Sequence, residues 1–193
     1  MRLIMIRHGQ TDANLAHQLD TGFPGTPLNA TGQAQAAGLV ERLKDEPIEA
    51  IMASDIVRAR QTAEPLAAAT GVPLISHPGV REIFAGDLEM RTDWTDYISV
   101  IQAWSTDPTV RMPGAQNGLE FARRFDRAVA EMADHDCAAI VSHGAALRTW
   151  LIGATGLAVD DGPQWVLANT AVVVIEGQPG AWQVVSWADR QLA

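Results

Sequence analysis

Cysteine is almost missing: Cys137 is the only one in 193 residues, so no disulfide can form within the chain. Its place just before Ala138-Ala139-Ile140-Val141 reads as a small buried hydrophobe, since no cationic neighbour is evident to activate a thiol. Positive charge is scarce as well. Against 23 Asp and Glu stand 14 Lys and Arg, a net charge of −9, which disfavours nucleic acid and anionic membrane surfaces as partners. Any anionic ligand must then be held by a local cluster. No apolar run is long enough to span a bilayer, and the run from Met1 to Ile6 meets Arg7 too soon to form a signal-peptide core. The expectation is a cytoplasmic protein with neither membrane nor nucleic-acid partners.

Several catalytic frames are also absent. There is no His-Glu-x-x-His helix and no cysteine pair for zinc, and no Gly-Lys-Ser/Thr loop for a nucleoside triphosphate. Neither Ser54 nor Ser142 sits in a Gly-x-Ser-x-Gly frame. His17, His77 and His135 make no metal set and are expected at the surface or as loop caps.

What is present suits one ordinary globular domain over 1–193, with 47% apolar and 19% charged residues. Short apolar runs alternate with helical patterns, which predicts an α/β fold: a three-layer α/β/α sandwich around a mostly parallel sheet with an antiparallel edge. Strands are expected at Leu3–Ile6, Ala50–Ala53, Pro73–Ser76 and Ala138–Val141. The first helix is expected from a Thr31 cap to about Lys44, stopped by Pro47. The second runs from a Ser54 cap to Thr70, kinked at Pro65, with Gly71 just past its end. Gly118 to His135 reads as an amphipathic helix through Phe125 and Val129, and another helix carries Leu147 and Leu151. Thr170–Ile175 and Trp182–Val185 flank Gln178-Pro179-Gly180, an antiparallel pair. The stretch 79–118 is rich in Gly, Pro, Asp and Trp and reads as a covering segment, where Trp94, Tyr97 and Trp104 form either an apolar lid or packing for a surface helix.

Ligands of open α/β sheets sit beyond the carboxyl ends of the strands. There the first strand delivers Arg7-His8-Gly9, the second runs into Ser54 and Arg58, and the strand ending at Val141 delivers Ser142-His143-Gly144. Two arginines and two histidines gathered at one edge are costly without an anion to neutralise them. Phosphate suits the planar fork of arginine. Gly9 and Gly144 let backbone approach closely, and Gly144 opens a helix whose first N–H groups favour anions.

These residues carry a resemblance. Arg7-His8-Gly9-Gln10-Thr11 followed by Asn14 is similar to the signature of the histidine phosphatase superfamily, also called phosphoglycerate mutase-like. Further matches follow in the family's order: Pro27-Leu28 with Gly32 and Gln33-Ala34, Ser54 with Arg58-Ala59 and Gln61-Thr62-Ala63, Arg81-Glu82 with Gly86 and Glu89, and Val141-Ser142-His143-Gly144. The resemblance implies that His8 is the nucleophile that becomes phosphohistidine. It implies that Arg7, Arg58 and His143 bind the phosphoryl oxygens, that Asn14, Gly22 and Gly144 complete substrate binding, and that Glu82 donates a proton to the leaving alcohol. The implied activity is hydrolysis of a small phosphate monoester, with no metal and no cofactor.

Each residue has a plainer alternative. His8 or His143 alone is a satisfied core histidine as readily as a catalyst, and Arg58 can pair with Asp55 or Glu64. Glu89 and Asp87 compete with Glu82. Met90 and Ala115-Gln116-Asn117 depart from the family pattern in the stretch that shapes specificity. Two other functions stay open: a bisphosphoglycerate-dependent mutase, and a non-catalytic phosphoryl-binding or interaction module. Only Arg91 and Arg111 are basic between Gly86 and Gly118, which favours hydrolysis over a mutase that must grip a second anion. Neither the substrate nor self-association into a homo-oligomer is decided by these patterns.

Overall fold

The computed structural model describes residues 1–159, 165–188 and 190–192, and the statements below concern those residues. β1 (Arg2–Arg7) has its inner four residues, Leu3 to Ile6, completely buried. A strand buried on both faces belongs inside a covered sheet. β2 (Ala50–Ala53), β3 (Leu74–Ser76) and β4 (Cys137–Ser142) share its direction. β5 (Val172–Gln178), β6 (Ala181–Trp187) and β7 (Arg190–Gln191) extend the other side through antiparallel pairings. The order is β3-β2-β4-β1-β5-β6-β7.

The helices are α1 (Asp12–Leu15), α2 (Ala30–Arg42), α3 (Val57–Thr70), α4 (Thr95–Ala103), α5 (Gly118–Ala130) and α6 (Gly144–Thr155). Alternation along β1 divides the core between the two faces. Leu3 and Met5 join a cluster with Phe121 and Phe125 of α5 and Leu147 and Leu151 of α6, whereas Ile4 and Ile6 join Leu39 of α2 and Ala63 and Leu66 of α3. The molecule is therefore a three-layer sandwich with a parallel centre and an antiparallel edge. β1 and β4 pair Arg7 with Ser142, so His8 and His143 leave the sheet side by side.

Local chemistry moves several boundaries from their expected places. α2 is capped by Asn29, whose side chain accepts from the Gly32 amide at 2.9 Å, and Thr31 lies inside the helix. It ends at Arg42 and the chain turns through Leu43 to Glu46 before reaching Pro47. Ser54 does not cap α3. Its Oγ accepts from the Ile56 amide at 3.3 Å in the turn before the helix, and the helix starts at Val57. α3 continues through Pro65 and closes on Gly71 at φ 72°, a left-handed cap that glycine takes without a Cβ clash. α5 begins with a capping box of Asn117 and Glu120, and ends at Ala130. The stretch 79–118 is entered through a 3₁₀ turn, Pro78–Val80, and contains a second, Gly86–Leu88, and α4. Its Val80, Ile83, Tyr97 and Met112 are buried in the same core as α5 and α6.

Candidate active site

His8 lies just past β1, its amide donating to Ser142 O at 2.9 Å and its ring buried. The ring Nδ1 lies 2.7 Å from Gly9 O. A carbonyl can only accept, so Nδ1 carries the proton and the lone pair sits on Nε2. That nitrogen accepts from Arg58 Nε at 3.0 Å. Burial, and then the charges of Arg58 and Arg7, hold the His8 pKa well below the usual histidine value, so the ring is neutral and nucleophilic at neutral pH.

His143 is fully buried beside it, with ring centroids 5.1 Å apart. Its pKa is lowered for the same reasons, burial first. Among the described residues, four buried side-chain nitrogens lack a hydrogen-bond partner: Arg7 Nε, both ring nitrogens of His143, and Trp187 Nε1. Buried polar groups are normally satisfied. Three of the four lie around His8, and their donors suit an anion.

The two arginines are fixed differently. Arg58 donates to Asp20 through Nη1 to Oδ2 at 3.2 Å and through Nη2 to the Asp20 carbonyl at 2.7 Å. The plainer pairings of Arg58 are not made: Asp55 binds Arg81, with Nε to Oδ1 at 2.6 Å, and Glu64 lies 4.0 Å from Arg60. Arg7 donates through Nη1 to Leu167 O. Burial lowers the pKa of both arginines, opposed by Glu82 at Arg7 and by Asp20 first at Arg58. At Gly144 a Cβ would stand 3.2 Å from Arg7 Nε, so the absence of a side chain lets this guanidinium lie against the start of α6.

Asn14 closes the capping box of α1 with Thr11, and its Oδ1 accepts from Thr11 N and from Asn169 Nδ2, both at 3.1 Å. Asn169 also donates to His8 O at 3.0 Å. With Oδ1 taken twice, Asn14 offers a ligand its Nδ2 donor. Gly22 follows Thr21, which lines the cavity, and its amide donates to Glu89 Oε1 at 2.8 Å.

The three carboxylates weighed for the proton donor take separate places. Glu82 lines the cavity, and its carboxyl accepts from Ala145 N at 3.1 Å, Ala146 N at 2.7 Å and Ile83 N at 2.8 Å. Glu89 instead gathers the Thr21 and Gly22 amides, and Asp87 lies beside Gly114. The backbone leading to Glu82 is held by Arg124 of α5, which donates to the carbonyls of Gly79, Arg81 and Glu82 at 2.6, 2.9 and 2.9 Å. Burial brings the Arg124 pKa down to about 10.

The cavity above His8 has a volume of about 390 Å³ and is lined by Arg7, His8, Asn14, Arg58, Glu82 and Gly144 at its closed end. His143, its ring centroid 5.1 Å from that of His8, is not among the lining residues. The tryptophans expected together separate: Trp94 and Tyr97 line the cavity, while Trp104 stacks on Phe121 in the core. His77 caps the Pro78–Val80 turn by accepting from Gly79 N, and His17 is exposed. No group of three or more His, Cys, Asp or Glu that could hold a metal occurs among the described residues. Nor is any described helix long and apolar enough to cross a membrane.

A sheet edge that collects two arginines, two neutral histidines and a carboxyl around one cavity belongs to the class of phosphoryl-handling α/β enzymes. The sequence pattern of the histidine phosphatase superfamily (branch 1) matches residues 3–190, and the chain belongs to that family. It is 31% identical over 195 residues to a probable phosphoglycerate mutase of Proteus mirabilis, covering 97% of this chain and 90% of the relative. It is 37% identical over 150 residues to the adenosylcobalamin/alpha-ribazole phosphatase of Salmonella typhimurium, covering 74% of each. Among solved structures, mycobacterial glucosyl-3-phosphoglycerate phosphatase in complex with VO3 superposes with a TM-score of 0.81 at 26% identity, covering 97% of this chain and 98% of that one. The protein is an enzyme of the histidine phosphatase type.

Proposed function

We propose that the enzyme hydrolyses phosphate monoesters of small metabolites through a phosphohistidine at His8. The observation that carries this reading is the set of unpartnered buried donors on Arg7 and His143 beside a histidine whose Nε2 lone pair is set by the Nδ1 bond to Gly9. In the first step Nε2 attacks phosphorus and the bond from phosphorus to the ester oxygen breaks. The leaving alkoxide takes a proton from the Glu82 carboxyl. Arg7, Arg58 and His143 hold the charge on the phosphoryl oxygens, with Asn14 Nδ2 and the Gly144 backbone completing the cradle. In the second step water attacks phosphorus, Glu82 takes its proton, and the P–N bond breaks to release phosphate and neutral His8. Arg58 must yield Nε2 to phosphorus when the ester binds, and its Asp20 contacts keep it within reach of the oxygens.

The names of several relatives favour mutase chemistry as a second reading. Two features weigh against it. Arg111 is bonded to Glu120 at 2.8 Å and to Ala115 O at 3.1 Å, and Arg91 is not among the residues lining the cavity. Hydrolysis of p-nitrophenyl phosphate, run beside conversion of 3-phosphoglycerate with and without bisphosphoglycerate, separates the two. Phosphate release that is lost in His8→Ala supports hydrolysis; interconversion of phosphoglycerates without release sinks it.

A further inference from the structure

The cavity has two chemically different ends. Its buried end holds Arg7, His8 and Arg58, while its exposed lining comes from Trp94, α4 and residues 165–167. From α4 come Tyr97, Ile98 and Ile101, spaced so that they share a face, and from residues 165–167 come Trp165 and Val166. Trp94, Ile98 and Val166 are 37, 44 and 63% exposed, yet all three line this one opening. Exposed apolar side chains concentrated at one place mark a contact surface.

The polar tips of the aromatic walls point elsewhere. Tyr97 commits its hydroxyl to Ile83 O at 2.8 Å, and Trp94 commits its indole N–H to His17 O at 2.7 Å. What these rings offer a ligand is their apolar area. Apart from Arg7, Arg58, Glu82 and the Asp20 that pairs with Arg58, the charged group among the described lining residues is Arg148, and it is already engaged within the chain. Gln18, Gln102 and Thr149 supply the few hydrogen-bonding groups that orient a ligand in a mostly apolar pocket.

We propose that the alcohol part of the substrate is an apolar body, a ring system or a hydrocarbon, bearing no second anionic group. This deepens the hydrolase reading and rests on its placement of the phosphate end. A glycerate or a bisphosphate would bring a second anion to a wall built mostly from indole, phenol and aliphatic side chains, whose one cation, Arg148, is already engaged, so its desolvation is poorly compensated. An arylalkyl ester would instead cover Ile98, Val166 and the face of Trp94.

The test compares kcat/KM of the native full-length chain for three primary-alcohol esters, so that leaving-group chemistry is similar: 2-phenylethyl phosphate, glycerol 3-phosphate and 3-phosphoglycerate. The expected order places 2-phenylethyl phosphate about 10- to 100-fold above the other two, the worth of burying one aromatic side group. Ile98→Asp should cut that ratio to below about 3-fold by placing a charge in the wall. Equal values, or a preference for 3-phosphoglycerate, overturn the apolar-pocket inference while leaving hydrolysis intact. If no ester is hydrolysed, calorimetric binding of 3-phenylpropylphosphonate against 3-phosphonopropionate decides the matter. Binding about 10-fold tighter for the aryl compound supports the pocket and rejects hydrolysis; equal or reversed affinities reject both.

Discussion

At the scale of single residues, the proposed mechanism gives the chemistry to His8 and Glu82 while others hold them. Arg124 fastens the carbonyls of Gly79, Arg81 and Glu82, so in the proposed mechanism it is a positioning residue for the proton donor. Proton donation matters most for a poor leaving group. Arg124→Gln is therefore expected to slow a primary alkyl phosphate by about 100-fold or more while slowing p-nitrophenyl phosphate by less than about 10-fold. A general loosening of the fold would slow both alike, so the split between the two esters is the measurement. Asp20 plays the corresponding part for Arg58 in a pair whose side chains are 8% and 3% exposed. Asp20→Ala leaves a buried guanidinium without its counter-charge and should lower stability by about 3–5 kcal/mol in urea unfolding. Arg7, His8, Arg58 and His143 were legible because they follow strands, where the period of the apolar runs ends. Asp20, Arg124 and Asn169 were not, because they reach their partners across 38, 42 and 161 residues, and no local spacing encodes such contacts.

At the scale of elements, β1 and β4 set the distance between the two histidines, and the first turn of α6 holds the Glu82 carboxyl through Ala145 and Ala146. Strands buried on both faces are continuous apolar runs, so β1, β2 and β4 were readable to within a residue or two, as was the short, half-exposed edge strand β3 from its run after Pro73. Helix starts were less so, because Asn29 caps α2 in place of Thr31 and Ile56 occupies the cap of α3 with no side-chain bond. α4 was hidden for a physical reason: it is nine residues long, only Tyr97 in it is fully buried, and its cap residue Trp94 makes no side-chain cap bond. α5 is the opposite case, with a reciprocal Asn117–Glu120 box. Asn117→Ala should cost about 1 kcal/mol, read as a lower unfolding midpoint with catalytic parameters on p-nitrophenyl phosphate little changed.

At the scale of the whole molecule, a chain of net charge −9 keeps a cationic pocket by burying it. The buried histidines His8 and His143 have folded pKa values below the unfolded value, with burial the first cause. Below the unfolded histidine pKa of about 6.5 the unfolded chain therefore binds protons that the folded chain does not, so stability is full above that pH and falls as pH drops. Each histidine contributes a slope of up to about 1.4 kcal/mol per pH unit. Urea unfolding at pH 7.5, 6 and 5 should show this fall, and His143→Gln should remove one histidine's share of the slope. The central claim, that His8 carries the phosphoryl group, is tested most directly by rapid acid-free quenching during turnover of a phosphate ester, followed by mass spectrometry of the peptide around His8. The expected result is a phosphoryl group on His8 that is stable in base, lost in acid, and missing from His8→Ala. Sustained phosphate release by the His8→Ala protein, or a phosphoryl group found on another residue, would contradict the account.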